Sequence, residues 1–328
     1  MAGITGQGTT FNLPNYVGEL FATSPEDTPL LSSIGGLTGG KAVNSVVFEW
    51  QYYDLRDADD SRQRVEGADA PTAEARVRGT ASNVVEIHQE AVEISYTKQA
   101  ATGQRGTENT AVTIGGTTIP ANELAWQLEQ QFKQVARDVE KTFITGTYAR
   151  PSTNATARKT RGLLSAITTN VESAEYANGA APGSALTEDV VLDLMQSVWE
   201  NGGIHEGETR TVIVNAGLKR ALTKIFIKDA GYTEDTRNVG GVNLQTFETD
   251  FGRCNIMLNR YMPADTLVVA SLEDLSPVFL EIPGKGHFFA EPLAKTGAAD
   301  RVQVYGEIGL EYGHEARHGK LELTEAAE

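Results

Sequence analysis

The sequence predicts an α+β protein, and three patterns in it support that fold class. Residues 43–53 and 84–97 are rich in β-branched and aromatic side chains, which is typical of strands. Residues 120–144 repeat apolar side chains at helical spacing. Short helix and strand patterns alternate over residues 187–282, and residues 301–323 return to strand-like segments interrupted by glycines. Together these patterns indicate the α+β class.

Length and composition bound the possible functions. The 328 residues suffice for about two domains, and 40% apolar residues supply a sizeable core. The net charge of −16 repels a phosphate backbone, so we do not expect nucleic-acid binding. Cys254 is the single cysteine, which excludes an intramolecular disulfide and fits a reducing compartment. No apolar run approaches the length of about 18 residues that suits a membrane span, and no secretory signal is expected before Lys41.

Residues 1–40 differ from the rest of the chain. They hold eight of the 33 glycines and three prolines but no lysine or arginine, and their apolar residues are too sparse to form a core. We predict an N-terminal arm that becomes ordered only against another surface.

The two strand segments, 43–53 and 84–97, are predicted to pair as a long hairpin. The insert between them, residues 54–78, carries seven acids and five arginines and is too polar for a core. Because an isolated hairpin is marginally stable in water, its missing contacts are expected on another subunit. Aromatic residues here could stack on bases, but the surrounding acids oppose this, so a neighbouring protein is preferred. The candidate subunit-interface residues are Trp50, Tyr52, Tyr53, Arg56, Arg62, Arg64, Arg76 and Arg78.

The strongest predicted helix covers residues 120–144. Pro120 suits its first turn, Glu129 and Lys133 form an i,i+4 pair, and Gly146 is a suitable stop. At 1.5 Å per residue it is about 37 Å long, which makes it a rigid beam. Its apolar stripe is Leu124, Leu128, Phe132, Val135, Val139 and Phe143.

The following region alternates helices and strands. A helix is predicted at residues 187–200, with Thr187 as its N-cap and Gly202-Gly203 after its end. A second helix, residues 216–227, follows Asn215. Strands are predicted at residues 211–214, 255–258, 266–270 and 278–282.

One glycine-rich motif is a candidate nucleotide site. Residues 35–41, Gly-Gly-Leu-Thr-Gly-Gly-Lys, have the spacing of a phosphate-binding loop. That loop needs Ser or Thr after the lysine, a strand before it and a helix after it. Here Ala42 follows Lys41 and the next segment is strand-like. We therefore favour a hinge at the end of the arm and keep a nucleotide hydrolase that uses Lys41 as an alternative.

The remaining reactive side chains do not form a recognisable catalytic set. His314 and His318 would lie about 13 Å apart on an extended segment, so they could share a metal only if the chain turned between them. His88 is expected at the surface or an interface, and Cys254 as a small apolar filler. We therefore predict no catalytic residue, no metal and no cofactor.

Several segments together carry a resemblance to a known family. They are residues 122–144, 161–164, 186–194 with 202–203, 211–215, 218–222, 265–269, 277–280, 305–312 and 319–321. Their order resembles the major capsid protein of tailed bacteriophages, with the Hong Kong 97 phage-type capsid fold that encapsulins also use. Within that fold, the chain is similar to the branch long labelled only as a domain of unknown function.

The resemblance implies a domain organisation. The expected parts are an N-terminal arm (1–40), an extended-loop β-hairpin (41–98), a peripheral domain (99–160) with its spine helix (120–144), an axial domain (161–285) and a return to the peripheral domain (286–328). The extended loop is expected to lie over an adjacent subunit.

The resemblance also implies a function and partners. It implies pentamers and hexamers of an icosahedral virion shell, assembled in the host cytoplasm around double-stranded DNA that is enclosed without specific binding. The implied partners are copies of the chain, a portal protein, a separate scaffolding protein and a decoration protein, and no membrane is expected. Scaffolding is expected to be separate because only some 40 residues precede the hairpin. A non-viral, encapsulin-like shell is the alternative within the same fold.

Overall fold

The computed structural model describes residues 26–56, 58–100, 112–114, 117–119, 123–204, 210–226 and 246–326. Its helices are α1 (Pro29–Ile34), α2 (Tyr96–Ala100), α3 (Glu123–Thr145), α4 (Leu163–Ala166), α5 (Glu188–Glu200) and α6 (Ala216–Lys224). Its strands are β1 (Lys41–Val43), β2 (Val47–Tyr53), β3 (Arg78–Val84), β4 (Glu86–Ser95), β5 (Val112–Ile114), β6 (Thr117–Ile119), β7 (Val171–Tyr176), β8 (Arg210–Val214), β9 (Thr246–Thr249), β10 (Gly252–Leu258), β11 (Thr266–Ser271), β12 (Ser276–Leu280), β13 (Phe288–Pro292), β14 (Ala299–Glu311) and β15 (Gly319–Glu325). The mixture confirms the α+β class.

A five-stranded sheet is built around the long strand β14. One edge of β14 pairs antiparallel with β4 over the register Ala299–Ser95 to Ile308–Glu86. Its other edge pairs with β13 and β12, and β12 pairs in parallel with β1. The helix α3 packs across β4 and β14, so this sheet and the long helix form one layered unit.

A six-stranded sheet has the strand order β7-β15-β11-β8-β10-β9. On one face, α5 packs against β7 and β15, and α6 contacts β10. Val212 and Val214 of β8 share a buried cluster with these two helices. Ile213 points to the opposite face and joins a cluster that contains Phe143 of α3. This sheet is therefore buried on both faces, which explains the continuous apolar run of β8.

The predicted long helix is confirmed as α3. Five residues of its stripe are buried and Phe132 is partly buried, while Glu129 and Lys133 form an ion pair at 3.3 Å. The N–H of Gly146 donates to the carbonyl of Thr142 directly after the helix, as expected of a stop. Pro120 lies outside the described residues.

The caps of α5 and α6 are also confirmed. The Thr187 side chain accepts a hydrogen bond from the N–H of Val190, and the Asn215 side chain accepts one from Leu218. Gly202 has φ +86°, which suits glycine after a helix end. The described part of the second helix ends at Lys224, and residue 227 lies outside the described residues.

The predicted pairing of the hairpin is wrong. The first segment, 43–53, divides into β1 and β2, and β2 pairs with β3, from Val47–Val84 to Tyr53–Arg78. The second segment, 84–97, instead becomes β4 of the five-stranded sheet. Strand-like composition identifies a strand but not its partner, and the polar strand β3 lacks the apolar alternation that would have revealed it.

Sheet membership also departs from the order of the chain. β12 falls inside residues 161–285 but belongs to the five-stranded sheet with β14, whereas β15 falls inside residues 286–328 but belongs to the six-stranded sheet. Sheet membership could not be read from the sequence, because the choice of a partner strand has no signal in local sequence. The boundaries between the peripheral and axial domains remain predictions.

Candidate functional site

The base of the β2–β3 hairpin is fixed to the body of the subunit by the buried side chain of Asn83. Its Nδ2 donates to the carbonyls of Arg161 at 3.1 Å and Leu310 at 2.7 Å. Its Oδ1 accepts from the N–H groups of Arg161 at 2.8 Å and Val84 at 2.9 Å. Both donor hydrogens and the acceptor oxygen are thus used, so the hairpin leaves the body at a defined position.

Two predicted interface aromatics also hold the hairpin to its own subunit. Trp50 Nε1 donates to the carbonyl of Gly313 at 2.6 Å, and its ring meets Tyr312 edge-on with centroids 4.9 Å apart. The Tyr52 ring lies 4.5 Å from the His314 ring. Tyr53, by contrast, is 70% exposed. The hairpin is therefore anchored along β2 and becomes free of the body near Tyr53.

A charged cluster lies beneath the hairpin base. Buried Glu86 accepts from the N–H of Thr160 at 3.1 Å, and its other oxygen lies 2.8 Å from His88 Nε2. Arg158 forms an ion pair with buried Glu307, which also accepts from the Tyr305 hydroxyl at 2.7 Å. Burial, assisted by the neighbouring Glu307, raises the pKa of Tyr305 to about 12. Each buried carboxylate of the cluster is paired with donors from the same cluster. The cluster therefore fixes the strands β4 and β14 and the segment before α4.

The tip of the hairpin, residues 54–77, carries most of the predicted interface arginines. Every described residue of the tip is exposed, including the apolar Leu55, Val65 and Val77. Glu74 forms ion pairs with Arg56 (3.2 Å), Arg62 (3.4 Å) and Arg76 (3.2 Å).

The other two predicted arginines differ from these. Arg78 donates to Gln51 Oε1 at 3.1 Å across the hairpin. Arg64 makes no hydrogen bond or ion pair with any described residue and is exposed. The structure thus gathers Arg56, Arg62 and Arg76 around one carboxylate, whereas Arg64 has no such partner among the described residues.

The glycine-rich motif does not have the geometry of a phosphate-binding loop. It connects α1 to β1, so a strand follows where that loop needs a helix. Gly40 has φ +129°, and a Cβ there would lie 2.3 Å from the carbonyl oxygen of Pro277. Lys41 Nζ lies 2.8 Å from both carboxylate oxygens of Glu311. Gly40 therefore serves close packing of the chain, and Lys41 has a carboxylate partner.

The histidines and the cysteine have structural surroundings. The chain does turn between His314 and His318, but His318 Nε2 faces the carbonyl of Tyr312 at 2.9 Å and Nδ1 accepts from Ser271 at 3.3 Å. Within the described residues, no group of three or more histidine, cysteine, aspartate or glutamate side chains could hold a metal. Cys254 is fully buried in the core of the six-stranded sheet, which confirms that it fills space there, and this burial raises the pKa of its thiol to about 11.

Sequence reasoning missed Asn83 and Glu86. A fully buried asparagine at the end of a strand is unusual, because asparagine is disfavoured in strands. Asn83 beside Val84-Val85 was therefore an available signal. The contact of Glu86 with Thr160 had no such signal, since it joins residues 74 positions apart, although its other partner, His88, is only two residues away.

Solved structures share this fold. The chain superposes on the capsid subunit of cyanophage A-1(L) with a TM-score of 0.65, at 11% identity, covering 96% of this chain and 98% of that one. For the capsid of cyanophage P-SCSP1u, the TM-score is 0.60 at 13% identity, covering 97% and 94%. The SrpI encapsulin of Synechococcus elongatus PCC 7942 gives 0.56 at 10% identity, covering 95% and 91%. The chain therefore has the fold that these capsid and encapsulin subunits share, the Hong Kong 97 type.

Sequence comparison identifies the branch. The profile of the SU10 major capsid protein family matches residues 3–325, so the chain belongs to that family. The major capsid protein of Escherichia phage Phieco32 is 25% identical over 371 residues, covering 96% of this chain and 94% of that protein. The chain is thus a phage major capsid protein whose place is the virion shell.

Proposed function

We propose that this chain assembles into pentamers and hexamers of an icosahedral head that encloses double-stranded DNA. The observation that carries the proposal is the contrast between the two ends of the hairpin. Its base is fixed by Asn83 and Trp50, whereas its tip, residues 54–77, is exposed throughout its described residues. The exposed, charged tip adds no packing contact to the isolated subunit, although the base holds it in a defined position. The tip is therefore suited to contact an adjacent copy.

We further propose the remaining partners of such a head. A portal protein, a separate scaffolding protein and a decoration protein would complete the particle, as the resemblance implies. The net charge of −16 supports a wall that encloses DNA without gripping it, because phosphate binding depends on basic residues.

Electron microscopy of the purified full-length chain tests this function directly. We expect closed icosahedral shells, or rings of five and six subunits. A chain that stays monomeric at every concentration and with the other head proteins present would contradict the proposal.

The tip arginines supply a sharper test. Reversing Arg62 and Arg64 together to Glu should lower the yield of shells by about tenfold or more, because like charges across an interface repel. The monomer should unfold as the unmodified chain does, since both side chains are exposed.

The matched control is the double change Arg62→Lys and Arg64→Lys, which keeps the charge and should assemble. Arg62 also pairs with Asp59 at 2.9 Å inside the tip, so Arg64→Glu alone separates the contribution of the arginine that has no ion pair with a described residue. Normal shells from the double reversal would refute the role of these arginines.

A further inference from the structure

The two helices α5 and α6, which pack on one face of the six-stranded sheet, carry opposite charge. Along α5, exposed Asp189, Asp193, Gln196 and Glu200 recur at helical spacing and form one stripe, here called the acidic face. Gln196 donates to Glu200 at 2.7 Å. Asp193 makes no ion pair or hydrogen bond with any described residue. The acidic face therefore lacks a cationic partner within the described part of the chain.

The helix α6 presents the opposite sign. Arg220 and Lys224 are exposed and stand four residues apart, so they share one side of the helix, here called the basic face. Neither makes an ion pair with a described residue. In a chain of 28 basic and 44 acidic residues, a basic pair without an ion pair to any described acid calls for an explanation.

Helix dipoles explain only part of this pattern. Asp189 lies in the first turn of α5 and Lys224 in the last turn of α6, where each charge stabilises its own helix. Asp193 and Arg220 lie in the middle of their helices, where the dipole effect has faded. These two residues therefore need another explanation.

The placement of the helices supplies one. α5 packs on β7 and β15, whereas α6 contacts β10, so they cover opposite halves of the same sheet face. Complementary patches at two separate places on one subunit can match head to tail between identical copies. Such a heterologous contact closes into a ring when the rotation between copies divides the circle evenly.

We propose that the acidic face of α5 binds the basic face of α6 on a second copy of this chain, and that this contact repeats around each capsomer. The inference rests on the proposed function, and it names the surface through which the rings close. Asp193 and Arg220 are its central pair, and complementary charge selects the head-to-tail register over head-to-head pairing.

Charge reversal with rescue tests the contact in the full-length chain. Asp193→Arg alone and Arg220→Asp alone should each lower the yield of rings and shells by about tenfold or more, because the repulsion recurs at every contact of a ring. The double variant Asp193→Arg with Arg220→Asp should restore assembly, since the pair is present with its signs exchanged. Circular dichroism and thermal unfolding establish that each variant folds. If a charge-reversed variant does not fold, the neutral changes Asp193→Asn and Arg220→Gln take its place.

A second double variant controls for net charge. Asp193→Arg with Lys141→Glu restores the overall charge but not the pair, because Lys141 is exposed on α3, whose buried contacts are with the other face of the sheet. We expect no rescue from it. Normal assembly of both single reversals, failure of the exchanged pair, or equal behaviour of the two double variants would each overturn the proposal. If the unmodified chain forms neither rings nor shells, the proposed function itself fails, so the two failures are distinguishable.

Discussion

At the residue scale, His318 is a fully buried histidine that the fold keeps neutral. Burial lowers its pKa to about 4, and the nearby charge of Arg317 acts in the same direction. The neutral ring donates from Nε2 to the carbonyl of Tyr312 and accepts at Nδ1 from Ser271. A second ring proton would face the N–H of Ser271, so protonation removes a hydrogen bond as well as burying a charge.

This predicts a pH dependence of stability. The unfolded chain binds a proton at His318 near pH 6.5 and the folded chain only near pH 4, so the free energy of unfolding should fall as the pH drops through that window. The loss is at most about 3 kcal/mol. Denaturant unfolding at pH 7, 5.5 and 4 measures it.

The control is His318→Gln, which offers one donor and one acceptor but does not titrate. Between pH 6.5 and 4, its unfolding free energy should change less than that of the unmodified chain. Equal slopes in the two proteins would show that His318 is not the titrating group.

At the element scale, α1 depends on a carboxylate from another helix. Its N-cap residue Thr28 makes no capping hydrogen bond. Instead, the N–H groups of Leu30 and Leu31 donate to Glu140 of α3 at 2.9 and 2.6 Å, and Asn259 donates to the same side chain. Burial raises the pKa of Glu140, and the three hydrogen bonds oppose that rise. One side chain therefore fixes the beginning of α1 against α3.

Glu140→Ala should accordingly destabilise the subunit by about 2–4 kcal/mol, because it leaves three buried donors without an acceptor. Cleavage by a protease before β1 should become faster, since α1 loses its attachment. Unfolding measurements and limited proteolysis check both effects.

The matched control is Glu129→Ala on the same helix, whose ion pair with Lys133 is exposed and should change stability by less than about 1 kcal/mol. If Glu140→Ala behaves like that control, α1 is held by its apolar contacts instead.

At the scale of the whole molecule, the hairpin tip is separable from the fold. The hydrogen bonds and ion pairs that start in described residues 54–77 all end within that segment. Replacing residues 54–77 by Asn-Gly joins Tyr53 to Arg78, which are already a register pair, through a two-residue turn.

We expect this shortened chain to fold with an unfolding free energy within about 1 kcal/mol of the original, because closing a shorter loop costs less conformational entropy. Shell assembly should be lost. A large loss of stability would show that the tip belongs to the subunit core, and normal shells would show that assembly does not use it. Thermal unfolding and electron microscopy give the two readouts.

The sequence by itself determined the local elements. The stripe of α3, the caps Thr187 and Asn215 and the apolar run of β8 depend on residues within one or a few turns, so their spacing reports them. The seven acids and five arginines of residues 54–78 placed the polar tip on the surface. These features also carried the resemblance to capsid proteins, because the order of elements survives when identity is low.

Only the tertiary structure decided which elements meet. The choice of β3 as partner of β2, the entry of β4 into the sheet of β14, and the exchange of β12 and β15 between sheets have no local signal. The same holds for the partners of Asn83 and Glu140, since the hydrogen bonds of these two side chains join residues as much as 227 and 119 positions apart. The spacing of apolar residues predicts that a side chain is buried. Which residues pack against it depends on the packing of the whole chain.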